Sequence, residues 1–422
     1  MQSKESKMAE IKHPKIRIYS YNILENYPDF LDLPWDHPFE KWDEYYHSIV
    51  EYEIGIHRNE VKFLDYNGVV YAFKELPRRL ATHEFTMLKE LSELEIPVVK
   101  PVGYVQYKKE IDGFEEEFGI IITEFLEFSI PFRLLFFKPK LFRYQQKMIK
   151  SISNLLVRLH IAKFYWGDCS LSNILFKRDA GELQAYLVDA ETMDHYSTIS
   201  DPKRMNDLDI MSENIGGDLL DIEAQNKLPP NLNFIDTALN IRKFYTSLWD
   251  ILTKETYIPF QEKYKIRQKL EEIYNYGFTV KEYALVPEGD GNILRMQTIV
   301  TEKSYYKNAL KNLTSIYAEE TQAKLIYNNI LEFNADIESK LHKTFPLKLI
   351  AHQWMDSVYR FSLNQINIDE DDVNAPQIFC QILEHKWLLS EKQYGDVGLI
   401  QTLNDYAKLD DVSIEKVKDI SL

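Results

Sequence analysis

The sequence predicts an α+β chain: a small, mostly antiparallel sheet carrying one helix, then a helical region and a helical C-terminal extension. Three observations carry that expectation. Two β-rich runs, 60–66 and 69–76, flank Asn67-Gly68, the pair suited to a two-residue hairpin turn in which both positions need positive φ. From Gln146 the apolar period changes to 3.6, with Met148, Ile152, Leu155, Leu156 and Leu159 on one face. Beyond Asp207 the chain reads as mostly helical.

Residues 1–47 are polar and aromatic, and Pro28, Pro34 and Pro38 break any long helix, so they read as a partly irregular N-terminal arm. Residues 48–128 make the sheet region. Its hairpin is followed by a helix at about 80–94 with Phe85, Leu88 and Leu91 on one stripe, ended by Pro97 and Pro101, and then by strands at 102–107 and 119–125. Residues 129–290 hold the helix from Gln146, a polar loop at 166–173, and two short β-like pieces, 174–176 and 185–188, around a turn at Asp179-Ala180-Gly181. Pro229-Pro230 and the loop 287–292 are the breakpoints. Residues 291–422 are expected as a helical C-terminal domain, with a helix at 318–333 marked by Ala323, Ile326, Tyr327 and Ile330.

A chain of 422 residues can bury a large core without a metal or disulfide staple, and 45% apolar with 27% charged residues excludes bulk disorder. The net charge of −16 argues against a general nucleic-acid binder, which needs a basic face to displace counterions, so no nucleic-acid partner is expected. Two cysteines, Cys169 and Cys380, make no disulfide framework, and a cytoplasmic location is the simplest expectation. Residues 1–15 contain no apolar run for a signal peptide. The most apolar stretch, 118–137, carries Glu124, Glu127 and Arg133. Each such charge costs about 2.5–3.5 kcal/mol near a bilayer centre, so no transmembrane segment is expected.

The chemistry-bearing segment is 160–191. It places Asp168 in a polar loop, Asn173 five residues on, and Asp189 at the end of a short apolar strand, Tyr186-Leu187-Val188. Phosphoryl transfer needs such a set: one carboxylate to orient the attacking hydroxyl and accept its proton, and hard oxygen donors to hold Mg2+ against a triphosphate. Upstream, Val70-Tyr71-Ala72-Phe73-Lys74 is a strand with one Lys able to reach phosphates, and Glu84 on the following helix is placed to pair with it and fix its ammonium.

The order Lys74, Glu84, Asp168, Asn173, Asp189 resembles the protein kinase-like fold, in spacing nearer to lipopolysaccharide and aminoglycoside kinases than to eukaryotic protein kinases. The wording of the chain is similar to an uncharacterised bacterial family described as lipopolysaccharide-kinase-like. That likeness is carried by Ala72-Phe73-Lys74-Glu75-Leu76-Pro77, Val157-Arg158-Leu159-His160, Phe164-Tyr165-Trp166-Gly167-Asp168-Cys169-Ser170-Leu171-Ser172-Asn173 and Leu187-Val188-Asp189-Ala190-Glu191-Thr192, and extends to Glu384-His385-Lys386-Trp387-Leu388-Leu389-Ser390-Glu391. The resemblance implies a two-lobed kinase-like domain, ATP and Mg2+ as cofactors, and a hydroxyl acceptor that is a sugar, a small molecule or a protein. It implies Asp168 as catalytic aspartate, Lys74 and Glu84 as the phosphate-binding pair, Asn173 and Asp189 as metal ligands, Gly55 in the phosphate loop, and Glu124, Phe125 and Leu126 in the hinge beside adenine. Three positions depart from the kinase pattern: Trp166 stands where a His is usual, Ala190-Glu191 replaces Phe-Gly, and the glycine-rich loop is reduced to Gly55. Two alternatives keep the fold: a degenerate kinase acting as a nucleotide-binding or interaction module, and transfer of another part of the nucleotide, such as AMP.

Other residues read as structural. Cys169 is a packing residue, His160 a buried brace of the loop, and one of Asp207 and Asp209, expected at the start of a helix, a second brace. His352 with Trp354 and His385 with Trp387 share a spacing that core packing explains, and Asp369 to Asp372 is a solvated loop.

Overall fold

The structure, a computed structural model, describes residues 16–50, 60–111, 113–137, 144–224, 234–288 and 292–408. The chain divides into two compact units. One runs up to Ser92 and adds Val99–Leu126 and Asp189–Thr192; the other takes Glu93–Val98, Glu127–Val188 and everything from Met193 on.

The first unit contains β1 (Ile16–Ile23), α1 (Trp42–Tyr45), β2 (Ile49–Val50), β3 (Val61–Tyr66), β4 (Val69–Pro77), α2 (Arg78–Glu93), β5 (Pro101–Ile111) and β6 (Phe114–Glu124). Its six strands form one sheet in the order β1-β5-β6-β4-β3-β2, every neighbouring pair antiparallel. Asn67 and Gly68 turn β3 into β4 with φ of 57° and 84°. From Ile16 on the arm is built into the sheet region: β1 lies at the sheet edge, and Phe30, Leu33, Trp35, Phe39 and Trp42 share a core with Tyr71, Phe73, Val105 and Ile122. Aromatic rings bury large areas without needing a periodic element, so the prolines do not prevent it. Strand alternation sends Tyr71 and Phe73 to that core and Ala72, Lys74 and Leu76 to the opposite face. The helix α2 lies so close to the sheet that a Cβ at Gly119 would sit 2.7 Å from that of Ala81.

The second unit contains β7 (Ser129–Pro131), α3 (Phe132–Phe137), α4 (Gln145–Ile161), β8 (Phe164–Tyr165), β9 (Ile174–Asp179), β10 (Glu182–Leu187), β11 (Asp194–His195), α5 (Asp201–Ala224), α6 (Phe234–Thr253), β12 (Thr256–Pro259), α7 (Tyr264–Asn275), β13 (Thr279–Glu288), β14 (Ile293–Thr301), α8 (Tyr305–Thr314), α9 (Glu320–Leu341), α10 (Leu347–Trp354), α11 (Phe361–Gln365), α12 (Ala375–Gln393) and α13 (Leu399–Tyr406). A π-helical turn, Met355–Arg360, joins α10 to α11. The strands form three small sheets, β10-β9-β7, β11-β8 and β12-β14-β13. The expected face of α4 is the buried one: Met148, Ile152, Leu155, Leu156 and Leu159 are all inside.

Several expectations change here. Pro287 and Glu288, expected in a loop, are the last residues of β13 and pair with Leu294 and Ile293 of β14, while the expected domain start at 291 lies outside the described residues. Beyond Asp207 the described chain is mostly helical, as expected, with the one small sheet β12-β14-β13 set among the helices. Most of β13 is exposed on both faces, so it carries no alternating apolar signal, and only pairing with β14 reveals it as a strand. The helix bearing Asp207 starts at Asp201, two turns before the expected start. The matched His-Trp spacings also part: Trp354 lies in the core of the C-terminal helices with Ile326, Tyr359 and Phe379, whereas Trp387 is 61% exposed. Among the described residues, no helix is long and apolar enough to cross a membrane.

Candidate active site

In the first unit, Lys74 projects from β4 towards α2. Its Nζ lies 3.1 and 3.4 Å from the Glu84 carboxylate oxygens, 2.6 Å from Asp189 Oδ2 and 3.8 Å from Glu191 Oε2. Glu84 is the acid on the buried stripe of α2, beside Ala81, Phe85, Leu88 and Leu91, and is only 2% exposed. The pairing of Lys74 with Glu84 expected from the sequence is thus present, and the same ammonium also holds Asp189. Glu191 was not singled out as a site residue; its backbone N–H donates to Asp189 Oδ1 at 3.1 Å and its carboxylate joins the cluster. The signal was an acid where the kinase pattern has Gly.

One ammonium therefore faces three carboxylates. Burial, and then the neighbouring Asp189 charge, push the Glu84 carboxyl up to about 8 against the pull of Lys74. Burial works to lower the Lys74 pKa, and Glu84 and Asp189 more than reverse it, leaving the ammonium charged. Glu84, Asp189 and Glu191 each offer an oxygen, and these atoms lie within 4.8 Å of one another. A set of hard oxygen donors in excess of its cation suits Mg2+.

The expected hinge follows β6. Phe125 N–H donates to the Val70 carbonyl at 3.0 Å, and its ring meets the edge of Phe63. The Glu124 carboxylate pairs with Lys100 at 3.1 Å and accepts from the Tyr27 hydroxyl at 3.3 Å, while Leu126 is half-buried. Gly55 lies outside the described residues.

In the second unit, Asp168 stands in the loop between β8 and a short 3₁₀ turn, Leu171–Asn173. Its Oδ1 accepts a hydrogen bond from Asn214 Nδ2 at 3.0 Å, and Asn173 Nδ2 donates to its main-chain carbonyl at 3.1 Å and to Oδ2 at 3.4 Å. The nitrogen end of Asn173 is the one committed to Asp168, so its oxygen end is the one left for a cation. One face of α5 supports the loop. Asp207 accepts from the backbone N–H of Trp166 and Gly167, both at 2.8 Å, and Asp218 accepts from Leu171 N–H at 3.0 Å. Asp207, Asn214 and Asp218 recur at helical spacing along the inward stripe of Met211, Ile215 and Leu219. Asn214 and Asp218 were missed, because nothing local marks a polar residue on an inner helix face until the loop it touches is in place.

His160 is the buried brace expected. Its Nε2 is 3.0 Å from Asp207 and its Nδ1 is 2.6 Å from the Tyr245 hydroxyl, which also accepts from Arg204 at 2.8 Å. Burial lowers its pKa more than Asp207 raises it, so the ring is neutral. The carboxylate then requires the proton on Nε2, and Tyr245 donates to Nδ1. Asp207 is the second brace; Asp209 instead pairs with Arg242 at the surface. Cys169 is fully buried, and burial raises its thiol well above the ordinary value, which suits packing and not attack.

Residues 67–226 match the lipopolysaccharide kinase (Kdo/WaaP) family, and residues 247–409 match a domain of unknown function, DUF4032. No curated protein matches the sequence. Two solved structures are similar to parts of the chain. WaaP in complex with acyl carrier protein is 14% identical, with a TM-score of 0.35, covering 62% of this chain and 99% of that one. Aminoglycoside-3'-phosphotransferase of type VIII is 15% identical, with a TM-score of 0.34, covering 54% and 95%. Over residues 67–226 the chain resembles the lipopolysaccharide kinase (Kdo/WaaP) family, and a mostly helical region follows.

Proposed function

We propose that the protein is an ATP- and Mg2+-dependent phosphotransferase acting on a hydroxyl acceptor, a lipopolysaccharide sugar being the candidate the family match favours. The observation that carries this reading is the cluster around Lys74: a half-buried ammonium fixed by the buried Glu84, beside the carboxylates of Asp189 and Glu191. An isolated structural ion pair needs one acid; two further acids are explained by a ligand of positive charge. In this reading Lys74 binds the phosphates, and Asp189 with Asn173 holds the metal, which spreads the charge developing on the phosphoryl oxygens. Asp168 orients the acceptor hydroxyl and takes its proton. Its carboxylate is held by neutral amides, which orient it without cancelling the charge a base needs.

Calorimetric titration with ATP, with and without Mg2+, tests the assignment. Asp189→Asn is expected to weaken Mg2+-ATP binding by about tenfold or more while leaving metal-free ATP binding nearly unchanged. Equal losses in both titrations would remove the metal role. No nucleotide binding by the unaltered chain would overturn the phosphotransfer reading and favour the interaction module.

A further inference from the structure

The hairpin of β9 and β10 begins at Ile174, directly after Asn173, and ends at Leu187, two residues before Asp189. The Asn173 carbonyl accepts from Val188 N–H at 3.0 Å, which ties the two ends of the hairpin together. Whatever fixes this hairpin therefore sets where Asn173 lies.

What fixes it lies far along the chain. Asp179, in the hairpin turn, accepts from the backbone N–H of Gln322 at 2.8 Å and of Thr321 at 2.9 Å, so it caps the first turn of α9 from 142 residues away. Gln322 Nε2 donates to the Arg178 carbonyl at 3.0 Å and to Gln377 Oε1 at 2.8 Å, and the same Gln377 oxygen accepts from Ala180 N–H at 2.9 Å. On the strand, Tyr186 donates to Glu319 Oε1 at 2.6 Å, and Lys307 of α8 donates to Glu319 Oε2 at 2.6 Å. Glu319 is also the N-cap of α9, sharing a capping box with Gln322. Asp179, Glu319, Gln322 and Gln377 are all buried. Burial opposes the Glu319 charge, but Lys307 and Lys177 outweigh it and hold the carboxyl at about 2, so this carboxylate stays charged at physiological pH, whereas burial and the Glu319 charge push Asp179 up to about 6.

Stability alone does not call for this network. The hairpin is already paired strand to strand, and Phe176, Leu183 and Ala185 bury its apolar side. Buried ionic groups add little over apolar residues of equal volume, but their directional bonds admit one arrangement where apolar packing tolerates several. We infer that the C-terminal helices are a built-in brace for the segment that carries Asn173, with Glu319, Gln322 and Gln377 as positioning residues for that metal ligand; this rests on the phosphotransfer reading above.

The test uses the full chain. Gln377→Met keeps length and volume and removes the acceptor shared by Ala180 and Gln322. It is expected to raise by about tenfold the Mg2+ concentration needed for half-maximal ATP binding, as loss of outer support does at metal sites. Metal-free ATP affinity should stay within about twofold, and amide exchange across 174–188 should quicken without metal. Tyr186→Phe, which removes one hydroxyl, should move the same readouts less, and it serves if Gln377→Met fails to fold. Faster exchange with an unaltered Mg2+ requirement would overturn the positioning role, and unaltered exchange would overturn the brace. No Mg2+-ATP binding by the unaltered chain would instead sink the phosphotransfer reading, with the exchange result still deciding the brace.

Discussion

The clusters around Lys74 and Asp168 are built on opposite electrostatic plans. Around Lys74 three carboxyl groups share one ammonium, and burial, with the neighbouring Asp189 charge, keeps a proton on Glu84. Around Asp168 the acids are satisfied by neutral donors: Asn214 and Asn173 serve Asp168, backbone N–H groups and a neutral His160 serve Asp207, and Leu171 N–H serves Asp218. The first cluster is short of positive charge and stands ready to gain it. The second is a finished scaffold that holds one carboxylate in place. A ligand should change the first and leave the second much as it is.

The largest effect expected from breaking this contrast is at Asp168. Asp168→Asn should cut phosphoryl transfer by roughly 10²–10⁴ while Mg2+-ATP affinity stays nearly constant, measured by steady-state turnover beside calorimetry. An amide has only one acceptor oxygen, so one of the two side-chain bonds, from Asn214 or from Asn173, is lost, although Asn173 keeps its bond to the main-chain carbonyl, and a small drop in melting temperature should accompany the rate loss. Turnover at the unaltered rate would remove Asp168 from the chemistry.

A smaller effect is expected one step back. Asn214→Leu removes a single orienting hydrogen bond and should lower kcat about tenfold, equivalent to about 1.4 kcal/mol, with the KM for ATP unaltered. A change confined to that KM would place Asn214 with the nucleotide and blur the contrast.

A third effect is a difference in sign with pH. The folded Glu84 carboxyl titrates near 8 against an ordinary value of 4.5, so between those values the folded chain holds a proton that the unfolded chain has released. Stability from this group is present at low pH and falls as pH rises through that window, by at most about 1.4 kcal/mol per pH unit. His160 acts oppositely: its pKa is lowered by burial, so stability rises with pH below its ordinary value of 6.5. Thermal melts across pH 5 to 9 should show the alkaline decline flattened in Glu84→Gln; an unaltered decline would mean that Glu84 does not hold the proton.

Much of this arrangement was legible in the chain. Turn chemistry at Asn67-Gly68 and the 3.6-residue stripes of α2 and α4 are local, and local rules write them directly into sequence. The pairing of Lys74 with Glu84 followed from a strand and a helix joined with almost no loop, which leaves few ways to place the two side chains. His160 was readable as a brace because it stands just before a loop rich in polar residues, whereas the choice between Asp207 and Asp209 needed the fold.

The rest depended on contacts across long separations. That β13 is a strand emerges only when β14 pairs with it, since its own residues show no inside and outside. That Trp354 is core and Trp387 is surface, at identical spacing from a His, depends on which helix face meets a neighbour. The same holds for Asn214 on α5, for Glu191 beside Lys74, and for Asp179 capping α9 from the far end of a hairpin. The sequence by itself determined the order of the chemistry-bearing residues and the elements that carry them, because propensity, period and turn chemistry act over a few residues. Only the tertiary structure decided which charges are left unbalanced and which buried polar groups find partners, because those depend on groups brought together by the burial of the whole chain.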